Sequence, residues 1–393
     1  MANADGFRRV AEWVRKDKDI KAVVVSAGGR VGNFPKVTDL LIECGKNLSS
    51  GIGVMKSLNP FFERVTADAQ ALGLYDNIKD ELMIIEQEVE SGFSPDFLIS
   101  RGEYIYAKLF SAYSGLTFCD AKDIILFYDD GRLNLGHSEY KIKEFYEKHG
   151  KFVVGGFYGG IGKGEVKTFS RGGSDFSGSI VARGLGAEEY LNFTDVDGIF
   201  SFDPRLGKGE VLAEISFDAV RLLGEFGAGV LHPASVLPLY GTGTVIRLKN
   251  TFNTNADGTL IKENCSAFPF AVAMRRGVTR LVLRKTESGY SLLQKAIDLG
   301  GKVVASASSL DFVDVCLLGV ENLDLRQVLG VESCKMQGEG TLFYFTPCEK
   351  TNEVIFKLKE MKIPQFISDF GGGVYLFTHK NDESEVISTL NEI

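Results

Sequence analysis

An α/β fold with a mostly parallel central sheet, followed by two small α+β modules, is the architecture this sequence predicts, and three observations carry the prediction. Short apolar runs such as Lys21–Ser26 (KAVVVS) and Phe152–Gly155 (FVVG) alternate with stretches of helical periodicity, the pattern of parallel strands joined by helices. Gly-rich loops follow both runs, and sheets of this kind bind ligands beyond the carboxyl ends of their strands. Past a change of composition at Asp257–Ser266 (DGTLIKENCS) the pattern shortens and repeats, at a spacing of about 60 residues.

At 393 residues the chain suits two or three domains. Hydrophobic residues make up 44% and charged residues 24%, the balance of a globular protein with a full core. Lys and Arg number 44 against 52 Asp and Glu, a net charge of −8, which argues against nucleic-acid binding through a general basic surface. Anionic ligands are then left to local pockets. The six cysteines (Cys44, Cys119, Cys265, Cys316, Cys334 and Cys348) form no CxxC pair, so neither a zinc site nor a dense disulfide framework is expected. No apolar run approaches the ~20 residues of a membrane span, and the charged N-terminal stretch lacks a signal-peptide core. A cytoplasmic protein with no membrane partner is expected.

In chain order, Phe7, Val10, Ala11 and Val14 recur at helical spacing, with Asn3 or Asp5 available as the cap. The strand Lys21–Ser26 leads into the loop AGGRVGNFP, and Thr38 opens a helix, TDLLIECGKNL. SPDFLISRGEYIYAKLFSAYSG reads as a long helix with polar residues at its middle, and Ile124–Tyr128 and Phe152–Gly155 read as strands. Beyond the boundary, strand Thr279–Arg284 precedes a helix Ser288–Leu299 whose face is Leu292, Leu293, Ala296 and Ile297. Strands KVVASA and FVDVCLLG and a short helix around Leu323–Leu329 complete a first pass. LFYFT, a helix with Val354, Leu358 and Met361, QFISDF, a GGG turn, VYLFT and DESEVISTLNEI make the second. Two such modules are expected to bury their sheets against each other and leave a crevice for a small ligand.

Four segments have chemical potential. In Thr168–Asp175 (TFSRGGSD) a strand ends, Arg171 stands at the turn, and two glycines admit close approach before Ser174 and Asp175 open a helix. A guanidinium fork beside a helix N-terminus suits a carboxylate or phosphate; a capped helix with Arg171 in solvent explains the same residues. Asn192–Arg205 (NFTDVDGIFSFDPR) is either an acidic turn or a nucleotide loop, and it lacks the spacing of a calcium loop. In SRGE, Glu103 beside a glycine could hold an ammonium, although a lone helical Glu is more often solvated. Ser26 with Lys36–Asp39 places hydroxyls and a lysine around a strand end. GGIGKG fails as a phosphate loop of Walker type, since Gly164 replaces the Ser or Thr and Phe157 the first Gly. His232 has no evident partner for metal or nucleophilic chemistry.

In this order, VVVSA with KVTDLL, SRGE, GGFYG, TFSRGGSD, FTDVDGIFSFDPR, GAGVLHPASVLP and DGTLIKENC resemble the aspartate kinases of the amino-acid kinase superfamily. TFSRGGSD and TDVDG with DPR are the specific stretches. The resemblance runs along essentially the whole chain, because the C-terminal repeats look like that family's paired ACT modules. It implies an amino-acid-kinase sandwich over 1–265 and ferredoxin-like ACT modules over 266–335 and 336–393. The implied reaction is transfer of the ATP γ-phosphoryl group to the β-carboxylate of L-aspartate, the first step towards lysine, threonine and methionine. Carried over residue by residue, Arg171 and Asp175 are the catalytic pair. Arg171 holds the substrate α-carboxylate and Glu103 its α-ammonium, with Ser26, Thr38, Phe157 and Ser174 lining the pocket. Thr194, Asp195 and Arg205 contact ATP, and Phe200 packs near the nucleotide. Mg²⁺ bridges the phosphates, with no dedicated metal site in the protein. An effector, lysine or threonine, is implied at the ACT modules, and exposed edges and apolar faces favour a homodimer or higher oligomer.

The resemblance also brings departures. Aspartate kinases open with a strand ending in Lys-Phe-Gly-Gly, which this sequence, starting inside the first helix, does not show. Gly229 stands where GAGVLHP often carries a second lysine. Loss of one preorganised charge costs about 100- to 1000-fold in rate, so little or no kinase activity is expected of the chain as written; because Arg171, Glu103 and Asp175 remain, a shortened sequence is the expected explanation. The alternatives are a non-catalytic amino-acid-sensing paralogue, or a relative acting on glutamate, acetylglutamate or carbamate.

Overall fold

The computed structural model describes residues 4–32, 34–170, 172–253, 255–265, 269–320, 334–361, 365–370 and 373–392. Arg171, the cap candidate Asn3 and the helix expected around Leu323–Leu329 lie outside the described residues. The chain divides into two units, Met1–Asp197 with Ala234–Asp257, and Gly198–Pro233 with Gly258–Ile393.

In the first unit, α1 (Ala4–Lys16) buries the four residues that its periodicity singled out. After β1 (Ala22–Val25), α2 (Val37–Ser49) begins one residue before Thr38, with Lys36 at the cap position and no side-chain cap. α3 (Val54–Leu72) and α4 (Tyr75–Glu90) follow. They bury Leu58, Phe61, Val65 and Ala69, and Ile78, Leu82, Ile85 and Val89. α5 (Pro95–Ser114) is the expected long helix. Ser94 caps it by accepting from the Phe97 N–H at 3.1 Å, and Pro95 takes a first-turn position that needs no N–H. Phe7 meets Tyr106 and Phe110 of α5 with ring centroids 5.9 and 5.7 Å apart.

The strand expected at Ile124–Tyr128 is mostly not one. β2 (Thr117–Cys119) runs into a one-turn helix α6 (Ala121–Ile124), and only β3 (Leu126–Phe127) is extended. The Asp120 carboxylate accepts from the Lys122 N–H at 3.2 Å and turns the chain into that helix. α7 (Leu135–His149), β4 (Phe152–Gly155), β5 (Tyr158–Ile161), β6 (Glu165–Thr168), α8 (Gly173–Gly184) and β7 (Glu189–Thr194) follow. β1 and β2 flank β4, all parallel, so the first sheet has the expected direction. β3 joins β5 in parallel and β6 closes that sheet antiparallel. β7 pairs in parallel with β9 (Val245–Asn250).

In the second unit, β8 (Glu214–Ser216) leads into α9 (Phe217–Glu225), capped by the Ser216 hydroxyl, and pairs in parallel with β10 (Thr259–Lys262). The two repeats then appear. β11 (Val272–Arg284), α10 (Glu287–Asp298), β12 (Lys302–Ser308) and β13 (Phe312–Leu318) form the first. β14 (Cys334–Phe345), α11 (Glu349–Glu360), β15 (Gln365–Phe370), β16 (Gly373–His379) and α12 (Glu383–Asn391) form the second. Their sheets do not stack face to face as expected. β11 and β14 pair antiparallel, and both modules share one six-stranded sheet, β12-β13-β11-β14-β16-β15. On α10, Leu292 and Ala296 are buried but Ile297 is 40% exposed, so the buried face is narrower than the periodicity implied.

The Thr286 hydroxyl accepts from the Gly289 N–H at 3.2 Å and caps α10. Thr286→Ala is expected to cost about 1 kcal/mol. The measurement is the urea midpoint, which should fall without a change in slope; an unmoved midpoint contradicts the cap.

Candidate functional site

Parallel pairing sets Val25 opposite Gly155, so β1 and β4 end side by side. The Gly156 N–H then donates to the Val25 carbonyl at 2.9 Å. The segments Ser26–Ala27 and Gly156–Phe157 therefore leave the sheet together, at the carboxyl ends of its strands. α5 crosses there. A side chain on Gly155 would come within 3.0 Å of the Glu103 carbonyl, and one on Gly102 within 3.1 Å of the Ala27 methyl group.

Glu103 is not on a solvated face. The residue is 5% exposed. One carboxyl oxygen accepts from the Ala27 N–H at 3.3 Å, and the other, Oε2, is buried without a hydrogen-bond partner among the described residues. Burial pushes the carboxyl from an ordinary 4.5 up to about 8, only partly opposed by the backbone N–H groups of Glu103 and Ala27. A buried acceptor left open in this way costs about 1–3 kcal/mol or more. It is offset when a cationic donor arrives.

Phe157 and Ser174 complete the surroundings. Phe157 has φ of 74°, the single positive value outside glycine among the described residues. It is held there by its N–H, which donates to Ser177 Oγ at 3.0 Å, and its carbonyl, which accepts from the Phe169 N–H at 2.9 Å. The start of α8 closes over it. A Cβ on Gly156 would lie 2.8 Å from Ser174 Cα, and one on Gly173 would lie 2.8 Å from Phe157 Cα. Only glycine permits this approach. Gly172, at φ 61°, is the cap residue of α8, which starts at Gly173, one residue before Ser174. The first turn of α8 thus offers backbone N–H groups for an anion.

The remaining positions sort by unit. Ser26 stands exposed at the end of β1, and Thr38 is partly exposed beside Val37, whose side chain faces Gly102. Asp175 accepts from Asn192 Nδ2 at 3.0 Å, and Asn192 also donates to the Tyr190 hydroxyl at 2.9 Å. Burial, then the charge of Asp175, raises the Tyr190 hydroxyl well above its ordinary range. Thr194 ends β7, where its carbonyl accepts from the N–H and hydroxyl of Thr251 at 2.9 and 3.0 Å. Asp195 follows it in solvent. Phe200 and Arg205 belong to the second unit. There Phe200 bridges to Val211, and Arg205 donates to both oxygens of Asp203, at 2.6 Å from Nη2, with its side chain 85% exposed.

The structure therefore brings together Ser26, Glu103, Phe157 and Ser174, with Thr38 beside them and Asp175 anchored towards β7. Sequence reasoning missed Ala27, whose contribution is a backbone N–H and leaves no residue-type signal. It also missed Ser177 and Asn192. Ser177 lies one turn after Gly173 in the helix that TFSRGGSD opens, and this spacing could have pointed to it. What the cluster can do is hold a small zwitterion, its ammonium at Glu103 and its carboxylate towards α8.

The profile of the Amino acid kinase family matches residues 1–250. The chain belongs to the amino acid kinase family. Among curated amino acid kinases, Aspartokinase 3 of Bacillus subtilis (strain 168) is 31% identical over 304 residues, 72% of this chain and 67% of that one. In five aspartokinases from bacteria and a plant, the aligned part spans 56% to 67% of the relative. The aspartate kinase of Clostridium acetobutylicum shares the fold at a TM-score of 0.88 and 24% identity, over 100% of this chain and 97% of that one. E. coli aspartokinase III, in complex with aspartate and ADP, matches at 0.74 and 22% identity, over 100% and 96%. The same E. coli protein in complex with lysine and aspartate matches at 0.79 and 21%, over 100% and 96%.

Between pH 4.5 and about 8 the folded chain keeps a proton on Glu103 that the unfolded chain has lost. Stability from this group is therefore full at low pH and drains away as pH rises, by at most about 1.4 kcal/mol per unit. Glu103→Gln has no such proton to lose. The variant's melting temperature relative to wild type should climb from pH 5 to pH 8; parallel curves would show that Glu103 titrates normally.

Proposed function

We propose that this amino acid kinase is an aspartate kinase, transferring the γ-phosphoryl group of ATP to the β-carboxylate of L-aspartate to form 4-phospho-L-aspartate. The observation that carries this reading is the buried Glu103 carboxyl, whose Oε2 has no partner among the described residues. An α-ammonium supplies both the missing donor and the missing charge. Arg171, in the segment between β6 and α8, is assigned to the substrate α-carboxylate, with Ser26, Thr38, Phe157 and Ser174 around it. Asp175, anchored by Asn192, is assigned with Arg171 to the catalytic pair.

Phosphoryl transfer needs positioning and charge neutralisation more than covalent help. Held at its ammonium and α-carboxylate, aspartate presents its β-carboxylate as the nucleophile. Thr194, Asp195 and Arg205 are assigned to ATP, with Phe200 near the nucleotide. Among the described residues no three His, Cys, Asp or Glu side chains gather as a metal site. Mg²⁺ is therefore assigned to the nucleotide, where it would neutralise the phosphates.

Residues 1–265 are assigned to catalysis, and 266–335 and 336–393 to ACT-type regulation by an amino acid, lysine or threonine, although 198–233 and 258–265 pack with the second unit. The shared six-stranded sheet with two helix-bearing halves supports that assignment. Exposed Tyr290, Leu299 and Val303 on the first module, at 53%, 49% and 41%, support a homodimer or higher oligomer. The place of action is assigned to the cytoplasm; no helix among the described residues is long and apolar enough to cross a membrane.

The protein should release ADP in the presence of aspartate and ATP and not of glutamate, acetylglutamate or carbamate. Turnover on one of those instead would move the assignment to another amino acid kinase. Lysine or threonine binding with no turnover at all would make the chain an amino-acid sensor. Arg171→Ala should abolish aspartate use, by about 100-fold or more in kcat/KM, and spare ATP binding. Light scattering at micromolar concentration should show an oligomer; a monomer contradicts the assembly.

A further inference from the structure

The loop between β1 and α2 contributes the Ala27 N–H that touches Glu103, yet it carries Gly28, Gly29 and Gly32, residues that make a backbone mobile. Val31 and Phe34 exchange backbone bonds at 3.2 and 2.9 Å, and the Val37 N–H donates to the Gly28 carbonyl at 2.9 Å. Arg64 of α3 reaches across the loop from outside.

Arg64 is 1% exposed, one of the largest fully buried side chains in the protein. Its Nη2 donates to the Gly29 carbonyl at 3.0 Å and its Nη1 to the Pro35 carbonyl at 3.2 Å, gripping the loop near both ends. The Phe34 ring lies 5.5 Å from the guanidinium carbon. Nε donates to Asp68 Oδ2 at 2.9 Å, so the buried charge is matched on its own helix. The same oxygen accepts from the Tyr106 hydroxyl. Tyr106 stands one turn along α5 from Glu103, and its hydroxyl fills the space that a side chain on Gly28 would need.

We propose that Arg64 is a positioning residue for the amino-acid pocket: it clasps the loop so that the Ala27 N–H stays on Glu103, while Asp68 absorbs its charge and leaves Glu103 free for the ligand's ammonium. The inference rests on the reading of this site as the amino-acid pocket of the kinase. A planar fork is needed to hold two carbonyls and a carboxylate at once, which Lys cannot do.

Hydrogen exchange and calorimetry on the intact chain test it. In Arg64→Met the amides of residues 28–32, 34 and 36 should exchange about tenfold faster or more, and aspartate affinity should fall roughly tenfold or more, the scale of a charged hydrogen bond. ATP affinity should stay within about twofold, and Arg64→Lys should recover only part of the loss. Because Asp68 left alone could unfold the chain, Arg64→Met with Asp68→Leu removes both charges and keeps the volume apolar. This double variant should melt near wild type and still show the fast loop and the weak aspartate binding. Recovery of aspartate binding in it would mean that charge balance, not the clasp, is what matters, and would overturn the proposal. Unchanged loop exchange, or equal losses for aspartate and ATP, would overturn it too. Wild-type chain that takes up no aspartate overturns the reading of function instead, and loop exchange then decides on Arg64 by itself.

Discussion

A buried carboxyl group, with the Ala27 N–H on one oxygen and no partner among the described residues on the other, sets the terms for this protein. Glu103 stands in the middle of α5, against the ends of β1 and β4, where Val25, Val153, Val154 and Ile105 are fully buried. Burial penalises the charged form, so the carboxyl is pushed up to about 8. On the proposed reading of the site, the same desolvation makes the position selective. A ligand that brings its own ammonium gains a strong interaction in a low-dielectric setting, whereas a neutral molecule gains little.

Holding such a group open depends on backbone geometry more than on side chains. The strained Phe157, of a kind that costs about 1–3 kcal/mol, turns the chain after β4 so that Gly156 passes directly beneath Ser174. Ser177 fixes that turn from α8, and the turn in turn sets where α8 begins. On the other side Arg64 and Tyr106 confine the loop after β1. The site is thus framed by two backbone turns, each held by a side chain from a helix, Ser177 of α8 and Arg64 of α3.

Much of this was legible in the sequence, and what escaped has physical reasons. The strands at Ala22–Val25 and Phe152–Gly155, the long helix over 95–114 and the double repeat after residue 266 all follow from periodicity and capping. Glu103 was visible as a residue, but its burial was not. A helix with polar residues at its middle looks half-solvated until both sides are known to be covered, here by Ala27 and Gly155. α3 and α4 carry an apolar period as regular as that of α1, so Arg64 sat in a readable helix; its role required knowing which loop the helix covers. The sharing of one sheet by the two modules could not be read, because the pairing of β11 with β14 joins residues distant in sequence and either edge of each module was available. Asp120 shortened the strand at Ile124–Tyr128 through a local cap that competes with apolar propensity.

A catalyst built this way has a particular vulnerability. When rate comes from in-line placement, a displacement of about 1 Å can cost 100-fold, so the turns that hold the amino acid matter as much as any group that touches it. Both turns here receive side chains from helices, Ser177 on Phe157 and Arg64 on Gly29 and Pro35. Of the two, the Arg64 contact is the one built from ionic groups in a closed, charge-matched pair. Such a pair keeps one arrangement or loses it altogether, since a half-satisfied buried ion costs more than an apolar replacement. The geometry of the amino-acid pocket is for this reason expected to be all-or-none with respect to the loop after β1, and a graded loosening of that loop is the one behaviour the packing disfavours.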